Sequence, residues 1–371
     1  MDASESVRAA ATTAPRAATV SVALCTHNGE RFVAQQVRSI LTQTHPVVQI
    51  VVSDDASTDE TVAVVERCVA EHRTAGGAID LVVLRNKIAL GVTANFQQAL
   101  RATSGELVAL SDQDDVWHPD RIARAVAVSV SRPGIELVAG DARVVDSAGH
   151  PVGATLFESL GVNRDVQHRL GTENALDELL KRNLLTGATM LVTRSLIDRA
   201  GQMPTSWLHD EWLAIVAATS AGIAVCSEPL IDYRQHGGNQ IGVEQLGVRG
   251  KIGRLRMPRT ARNARLLNRA RDLARQLPTA AVGQRSGCSE ASTGVPDPMA
   301  AGRPVGGATD RGLEELGSVL AEKLAHEQVR SALPRHRLAR IVPVWREWQT
   351  GRYARFGLGA QDIFRDLVQP D

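Results

Sequence analysis

The sequence predicts an α/β protein built on a mostly parallel central sheet flanked by helices, and three observations carry that prediction. Between Val20 and Ser111, short β-branched runs alternate with stretches at helical apolar spacing. The runs are almost continuously apolar, as strands covered on both faces must be. Polar residues gather just past their carboxyl ends, where open parallel sheets collect ligands.

VSVAL (20–24) opens the sheet and RFVAQQVRSILTQ (31–43) forms the first helix. VVQIVVS (47–53), entered through Pro46, is the second strand. A helix over 58–72 follows, its start carrying Ser57 or Thr58 and Glu60. IDLVVL (79–84) is the third strand, and VTANFQQALRAT after Gly91 the third helix. Gly105 breaks that helix before ELVALS (106–111). Farther on, 118–130 reads as a helix and 135–146 as a strand, with SAGHP as a turn. Residues 150–182 show no period beyond a variable loop with a helix. ATMLVT (188–193) is a strand, 211–222 a buried helix, and IAVCS (223–227) a strand leading into IDYRQHGGN.

After Gly250 the composition changes. Residues 251–275 hold Lys251 and eight arginines against Asp272 alone. They read either as a solvated helix packing Leu255, Leu266 and Leu273 inward, or as a basic surface for anionic lipid. The expected division is a flexible N-terminus (1–19), an α/β domain (20–245), a basic helical segment (246–277), a Gly/Ala/Pro/Ser-rich flexible linker (278–312) and a helical C-terminal tail (313–371).

A chain of 371 residues, 43% apolar and 22% charged, has room for one large domain with appendages, and the composition excludes wholesale disorder. The net charge of +1 argues against a chain devoted to nucleic acid, and no nucleic-acid partner is expected. Cys25, Cys68, Cys226 and Cys288 have neither disulfide-framework nor zinc spacing, which suits a reducing compartment. The Ala/Thr-rich first nineteen residues lack the apolar run of a secretory signal, and no stretch reaches the ~18–20 apolar residues of a membrane span. The expectation is a cytoplasmic protein, peripheral at most on the inner face of the plasma membrane.

The strand ends carry the chemistry. Asp112-Gln113-Asp114-Asp115 puts three carboxylates in four residues, where like charges ~4 Å apart repel by several kcal/mol at an effective dielectric near 20. A divalent cation relieves that repulsion, and hard oxygen ligands suit Mg²⁺ or Mn²⁺. The plainer reading has Asp115 capping the next helix. Asp54 or Asp55 accepts hydrogen bonds from a base or ribose, or simply builds the turn with Ser57 and Thr58. His27, between Thr26 and Asn28, is a loop histidine or a base-stacking ring. Asn86 follows the third strand. In Trp207-Leu208-His209-Asp210-Glu211-Trp212, the paired acids complement a helix dipole or supply a partly desolvated base beside a sugar-stacking wall. Arg234 and His236 precede a glycine pair, a composition suited to a loop that closes over a diphosphate. Neither a dinucleotide fingerprint nor a Walker A loop is present.

Taken together, VSVALCTHNG, VVSDDASTDET, LVALSDQDDVWHPDRI, TGATMLVTRSL, LHDEWLAIVAATSAG and YRQHGGNQIG resemble, in order over residues 20–242, the family 2 glycosyltransferases of GT-A (Rossmann-like) fold. Within them the chain is similar to the bacterial rhamnosyltransferase-type, cell-surface polysaccharide branch. The resemblance implies an inverting, metal-dependent transfer from a nucleoside-diphosphate sugar, with dTDP-rhamnose as the subfamily-level donor, to a glycan or lipid-linked acceptor. It implies that Thr26, His27, Asn28, Asp54 and Asp55 hold base and ribose, that Asp112 touches ribose or metal, and that Asp114 ligates Mg²⁺ or Mn²⁺. Asp210 matches the family's acceptor base, although His209 replaces the usual preceding Glu and Glu211 follows, so both Asp210 and Glu211 are candidates. Cys25 and His27 stand where many members have Pro and Tyr. The rival readings are a sugar nucleotidyltransferase, which would want a basic phosphate loop near Thr26–Arg31, and a non-catalytic nucleotide-sugar-binding protein.

Overall fold

The computed structural model describes residues 18–236, 258–282 and 310–371. Four parallel strands form the first half of one sheet: β1 (Val20–Thr26), β2 (Val47–Asp54), β3 (Asp80–Arg85) and β4 (Leu107–Ser111). Helices α1 (Val33–Leu41), α2 (Thr61–Thr74) and α3 (Val92–Ala102) connect them. All seven residues of β1 are buried, so its apolar run serves both faces: Val20, Val22 and Leu24 one way, Ala23 and Cys25 the other. The hydroxyl of buried Ser21, the polar exception in that run, donates to Gln49 Oε1 at 3.0 Å and accepts from the Gly105 amide at 2.9 Å, so no buried group is stranded.

The second half is mixed. β5 (Val116–Trp117), α4 (Arg121–Val130), β6 (Leu137–Val145), β7 (Pro151–Thr155), three short helices α5 (Leu156–Leu160), α6 (Arg164–Leu170) and α7 (Ala175–Leu179), then β8 (Met190–Thr193), α8 (Arg194–Ala200), α9 (His209–Ala218) and β9 (Ile223–Arg234) follow in order. The sheet runs β3-β2-β1-β4-β8-β6-β9-β5, with β7 on β6. β8 is antiparallel to both its neighbours, β6 and β9 are parallel, and β5 and β7 pair antiparallel. Parallel order therefore describes the first half, and the whole sheet is mixed.

Several expected boundaries move. The helix read over 58–72 starts at Thr61, because Ser57 is held in a turn by Asp54, whose carboxylate accepts from the Ser57 amide at 2.9 Å. The helix read over 118–130 begins at Arg121 after the two-residue β5, and Asp115 does not cap it: Asp115 is buried and accepts the Arg234 amide. The stretch 150–182 holds a strand and three helices, and the strand read over 223–227 continues to Arg234.

The C-terminal part is helical: α10 (Arg259–Val282), α11 (Asp310–Ser331), α12 (Ile341–Gln349), α13 (Arg352–Phe356) and α14 (Ala360–Val368). The linker read over 278–312 is helical at both ends, since α10 carries Pro278 and runs on to Val282, and α11 starts at Asp310. Residues 283–309, with Cys288, and 246–257, with Leu255, lie outside the described residues. α10 buries Leu267, Ala270, Leu273 and Leu277, and the last two join the apolar core that also holds Ala23, Leu110 and Trp212. Its cations turn toward carboxylates: Arg259 to Asp371 at 2.5 Å, Arg269 to Glu211 at 2.9 Å, Arg262 to Asp366 and Arg275 to Asp272. Among the described residues no helix is long and apolar enough to cross a membrane.

Candidate active site

A cleft of about 940 Å³ opens beyond the carboxyl ends of β1 and β4. Thr26, His27 and Asp55 line it together with Asp112, Asp114 and Asp210. Three separate stretches of chain thus bring their acids to one hollow.

Each wall is fixed by short hydrogen bonds. His27 Nδ1 lies 2.7 Å from the Asp55 carbonyl, and the His27 amide donates to Gln113 Oε1 at 2.8 Å. Gln113 Nε2 returns a bond to the His27 carbonyl at 3.0 Å, so the middle residue of the Asp112-Gln113-Asp114 run ties β4 to β1. Asp55 accepts the amides of Leu90 (2.6 Å) and Gly91 (2.9 Å), which pins the loop entering α3. Gly91 sits there at φ +83°, a conformation that glycine enters without strain.

The remaining sequence candidates stand behind or beside the cleft. Asp54 is buried and holds Thr26 Oγ1 at 2.7 Å. Asn28, at φ 48°, bridges to the β2 turn by accepting the Thr58 amide at 2.8 Å. Asn86 and Asp54 border a neighbouring hollow rather than this one. Arg234 is buried, donates from Nε to the Asp114 carbonyl at 2.8 Å, and braces the backbone of the acidic run. His236 Nε2 lies 2.8 Å from Asp114 Oδ2 and stacks on Phe32.

Asp210 and Glu211, adjacent in sequence, face different spaces because helix positions one apart diverge. Asp210 lines the cleft: Oδ2 accepts the Gly187 amide at 3.1 Å, Oδ1 accepts the Glu211 amide at 2.7 Å, and Asn183 adds a side-chain bond. Glu211 instead borders a second, basic cavity of about 820 Å³ against α10 and pairs there with Arg269. Gly187 makes the close approach possible, since a Cβ there would lie 2.6 Å from His209 Nε2. His209 stacks on Phe96 with ring centroids 3.8 Å apart.

The electrostatics follow from burial and crowding that neighbouring cations offset only in part. Burial, then the charges of Asp114 and Asp210, push the Asp112 carboxyl up to about 7. Burial also raises Asp114 against the opposing bond from His236, and raises Asp115, to which Asp114 and Asp112 add. Asp210 is raised by burial although three hydrogen bonds pull it down. Burial alone lowers His209 to about 3, so its ring is neutral. Sequence reasoning missed Gln113, Phe96, Tyr233 and Asn183. Gln113 lay in plain view inside the acidic run, whereas the other three come from segments whose register the sequence does not reveal.

Residues 21–174 match the family model described as Glycosyl transferase family 2. An uncharacterized glycosyltransferase of Nostoc is 29% identical over 135 residues, covering 35% of this chain and 40% of that protein. A dTDP-rhamnosyl transferase, RfbG, of Shigella flexneri is 25% identical over 251 residues, covering 64% of this chain and 79% of its own. The chain spans 40% and 59% of the lengths of the Nostoc protein and of an uncharacterized Mycobacterium tuberculosis protein. The crystal structure of S. aureus TarS with UDP-GlcNAc superposes with a TM-score of 0.50 at 14% identity, covering 94% of this chain and 89% of that one, which supports the GT-A fold alone. The matched stretch contains β1, the Asp54-Asp55 turn and the Asp112–Asp115 run, and over it the chain is similar to glycosyl transferase family 2.

Proposed function

We propose that the chain transfers a sugar, with inversion, from a nucleoside-diphosphate sugar to a hydroxyl of a glycan or lipid-linked acceptor in cell-envelope polysaccharide synthesis. The observation that carries this reading is the meeting of Thr26, His27 and Asp55 with Asp112, Asp114 and Asp210 in one cleft. Thr26, His27 and Asp55 line the nucleotide side, with Asn28, Asp54 and Asn86 bracing its loops. Asp210 is the base: the acceptor hydroxyl gives it a proton while the oxygen attacks the anomeric carbon. The bond from that carbon to the diphosphate breaks, and the nucleoside diphosphate leaves with the electron pair. A raised carboxyl suits proton uptake near neutral pH. Glu211, committed to Arg269, is a brace for α9 rather than a second base.

Mg²⁺ or Mn²⁺ fits the donor set. Asp112 and Asp114 offer hard, crowded oxygens, and among the described residues no cluster of three or more His, Cys, Asp or Glu forms a ready-made cage. Such an ion, held by Asp112 and Asp114, would offset diphosphate charge, with phosphate oxygens and water completing its shell. Arg234 and His236 keep Asp114 in place for that task. dTDP-rhamnose is the first donor to test, in view of the Shigella relative's name.

Calorimetry with nucleoside diphosphates and Mn²⁺, followed by release of diphosphate from nucleotide sugars with and without acceptor, tests the reading. Metal-dependent binding that disappears in Asp114→Ala is expected. Binding without turnover on any nucleotide sugar would leave only the non-catalytic reading.

A further inference from the structure

Helix α12 turns most of its large apolar side chains outward. Its narrow inner face carries Val344 and Glu347: Glu347 is 3% exposed, 2.6 Å from His326 Nδ1 and 2.6 Å from Arg352 Nη2. Those partners fix the rotation of the helix about its axis. Ile341, Val342, Trp345 and Trp348 are consequently turned out, each more than half exposed, and Leu338 of the preceding turn is 83% exposed. The spacing 338, 341, 345, 348 is one helical stripe. α14 adds Phe364 and Val368, four residues apart on its own exposed side. Of the thirteen large apolar side chains exposed among the described residues, eight fall within 338–368.

The surrounding charge has one sign. Between Ala332 and Gln361 the only carboxylate is Glu347, which is buried, whereas Arg335, His336, Arg337 and Arg346 are exposed. An apolar, tryptophan-bearing stripe rimmed by arginines matches the boundary between acyl chains and anionic headgroups. It matches a second copy of itself poorly, because the rims would repel. Of the α10 arginines that the sequence offered for a lipid surface, Arg259, Arg262 and Arg269 are paired inward, whereas Arg265, Arg271 and Arg275 are exposed.

We propose that the outward face of residues 338–368 seats this protein on an anionic lipid bilayer, with Trp345 and Trp348 entering the headgroup layer. The face stands independently of the cleft chemistry. If the glycosyltransferase reading holds, the docking also brings the protein to the bilayer that would carry a lipid-linked acceptor.

The experiment is flotation of the full chain with vesicles of phosphatidylglycerol and phosphatidylcholine, against phosphatidylcholine alone. Binding to the anionic vesicles only, reduced by salt, is expected. Trp117, Trp207 and Trp212 are buried, so a blue shift of tryptophan emission on vesicle addition reports Trp345 and Trp348. The Trp345→Ser/Trp348→Ser variant should lose roughly tenfold or more in partitioning. Arg335→Glu/Arg337→Glu should lose the preference for anionic lipid. Both variants should keep the wild-type melting temperature, which separates lost docking from lost folding. Unchanged flotation of the tryptophan variant would overturn the proposal. So would failure of the wild type to float, or a dimer in sedimentation that the tryptophan variant dissolves. Flotation without nucleotide binding would count against the cleft reading alone.

Discussion

The cleft and the C-terminal helices both bury carboxylates, and they treat them in opposite ways. In the cleft, burial raises the proton affinity of Asp112, Asp114 and Asp210; the charges of Asp114 and Asp210 add to it at Asp112, while His236 and Arg234 oppose it at Asp114. In the helical part, Asp366 meets Arg262, Arg330 at 2.7 Å and the Tyr353 hydroxyl at 2.9 Å. Glu327 pairs with Lys323 at 2.8 Å; burial would raise its pKa, but Lys323 and Arg330 outweigh burial and lower it. The same residue types thus make a brace where ion pairing outweighs burial and a hollow of raised proton affinity where burial outweighs it. Burial alone does not separate these roles. The strength of the pairing does.

The largest effect should come from breaking the cleft. Asp210→Asn keeps the shape of the side chain and one of the two oxygens that accept the Gly187 and Glu211 amides, but removes the base. Transfer should fall by about 10²–10⁴-fold while nucleoside diphosphate still binds with Mn²⁺. Glu211→Gln should leave the chemical step within a few-fold of wild type. If steady-state assays give the reverse ranking, the base is the residue bound to Arg269 and the two cavities have exchanged roles.

The next effect sharpens the contrast through stability. Asp366→Ala removes the nearest carboxylate of buried Arg330 and of Arg262, leaving the longer contacts to Asp362 and Glu327, and should cost about 3 kcal/mol in urea unfolding. Asp112→Asn removes one of several facing like charges and should raise the unfolding midpoint while lowering activity. Destabilisation by both substitutions to a similar degree would erase the distinction between brace and hollow.

The reasons for legibility differ along the chain. β1 to β4 could be read because continuous apolar runs bounded by turn residues have few alternative folds, and Asp55, Asp112 and Asp114 came with them as residues at strand ends. Asp54 and Asp55 could not be told apart, since alternation sends neighbours to opposite sides and only the turn decides which side is the cleft. β7 and α5 to α7 were hidden because each is too short to establish a period. α12 was readable as a helix but not as one with its large apolar side chains outward: its apolar spacing is ordinary, and only the tertiary partners of Glu347 show which face is inside.

A smaller effect is expected from acid. His209 titrates at about 3 in the fold and near 6.5 unfolded, so the unfolded chain binds more protons between those values. Stability is therefore lost as pH falls below about 6.5, by about 2 kcal/mol at pH 5 from this group. His209→Phe preserves a ring against Phe96 and should flatten that loss. Urea midpoints at pH 7 and pH 5 check it, and an equal drop in both proteins would assign the acid sensitivity elsewhere, with buried His326 the next candidate.

The smallest effect concerns how Asp210 is held. Asn183 lines the basic cavity and donates to the Asp210 carboxylate. That bond favours the ionised form, so Asn183→Ala should raise the Asp210 pKa. A base must be ionised to act, and the acid limb of the pH–rate profile should move to higher pH by the same amount. The rate well above that limb should return to near the wild-type value. Loss of rate at every pH would mean that Asn183 sets geometry instead, and Asn183→Asp, which keeps the size but adds a like charge, should then fail no worse than Asn183→Ala. If the titration argument is right, Asn183→Asp moves the limb farther than Asn183→Ala, because repulsion joins the loss of the donor.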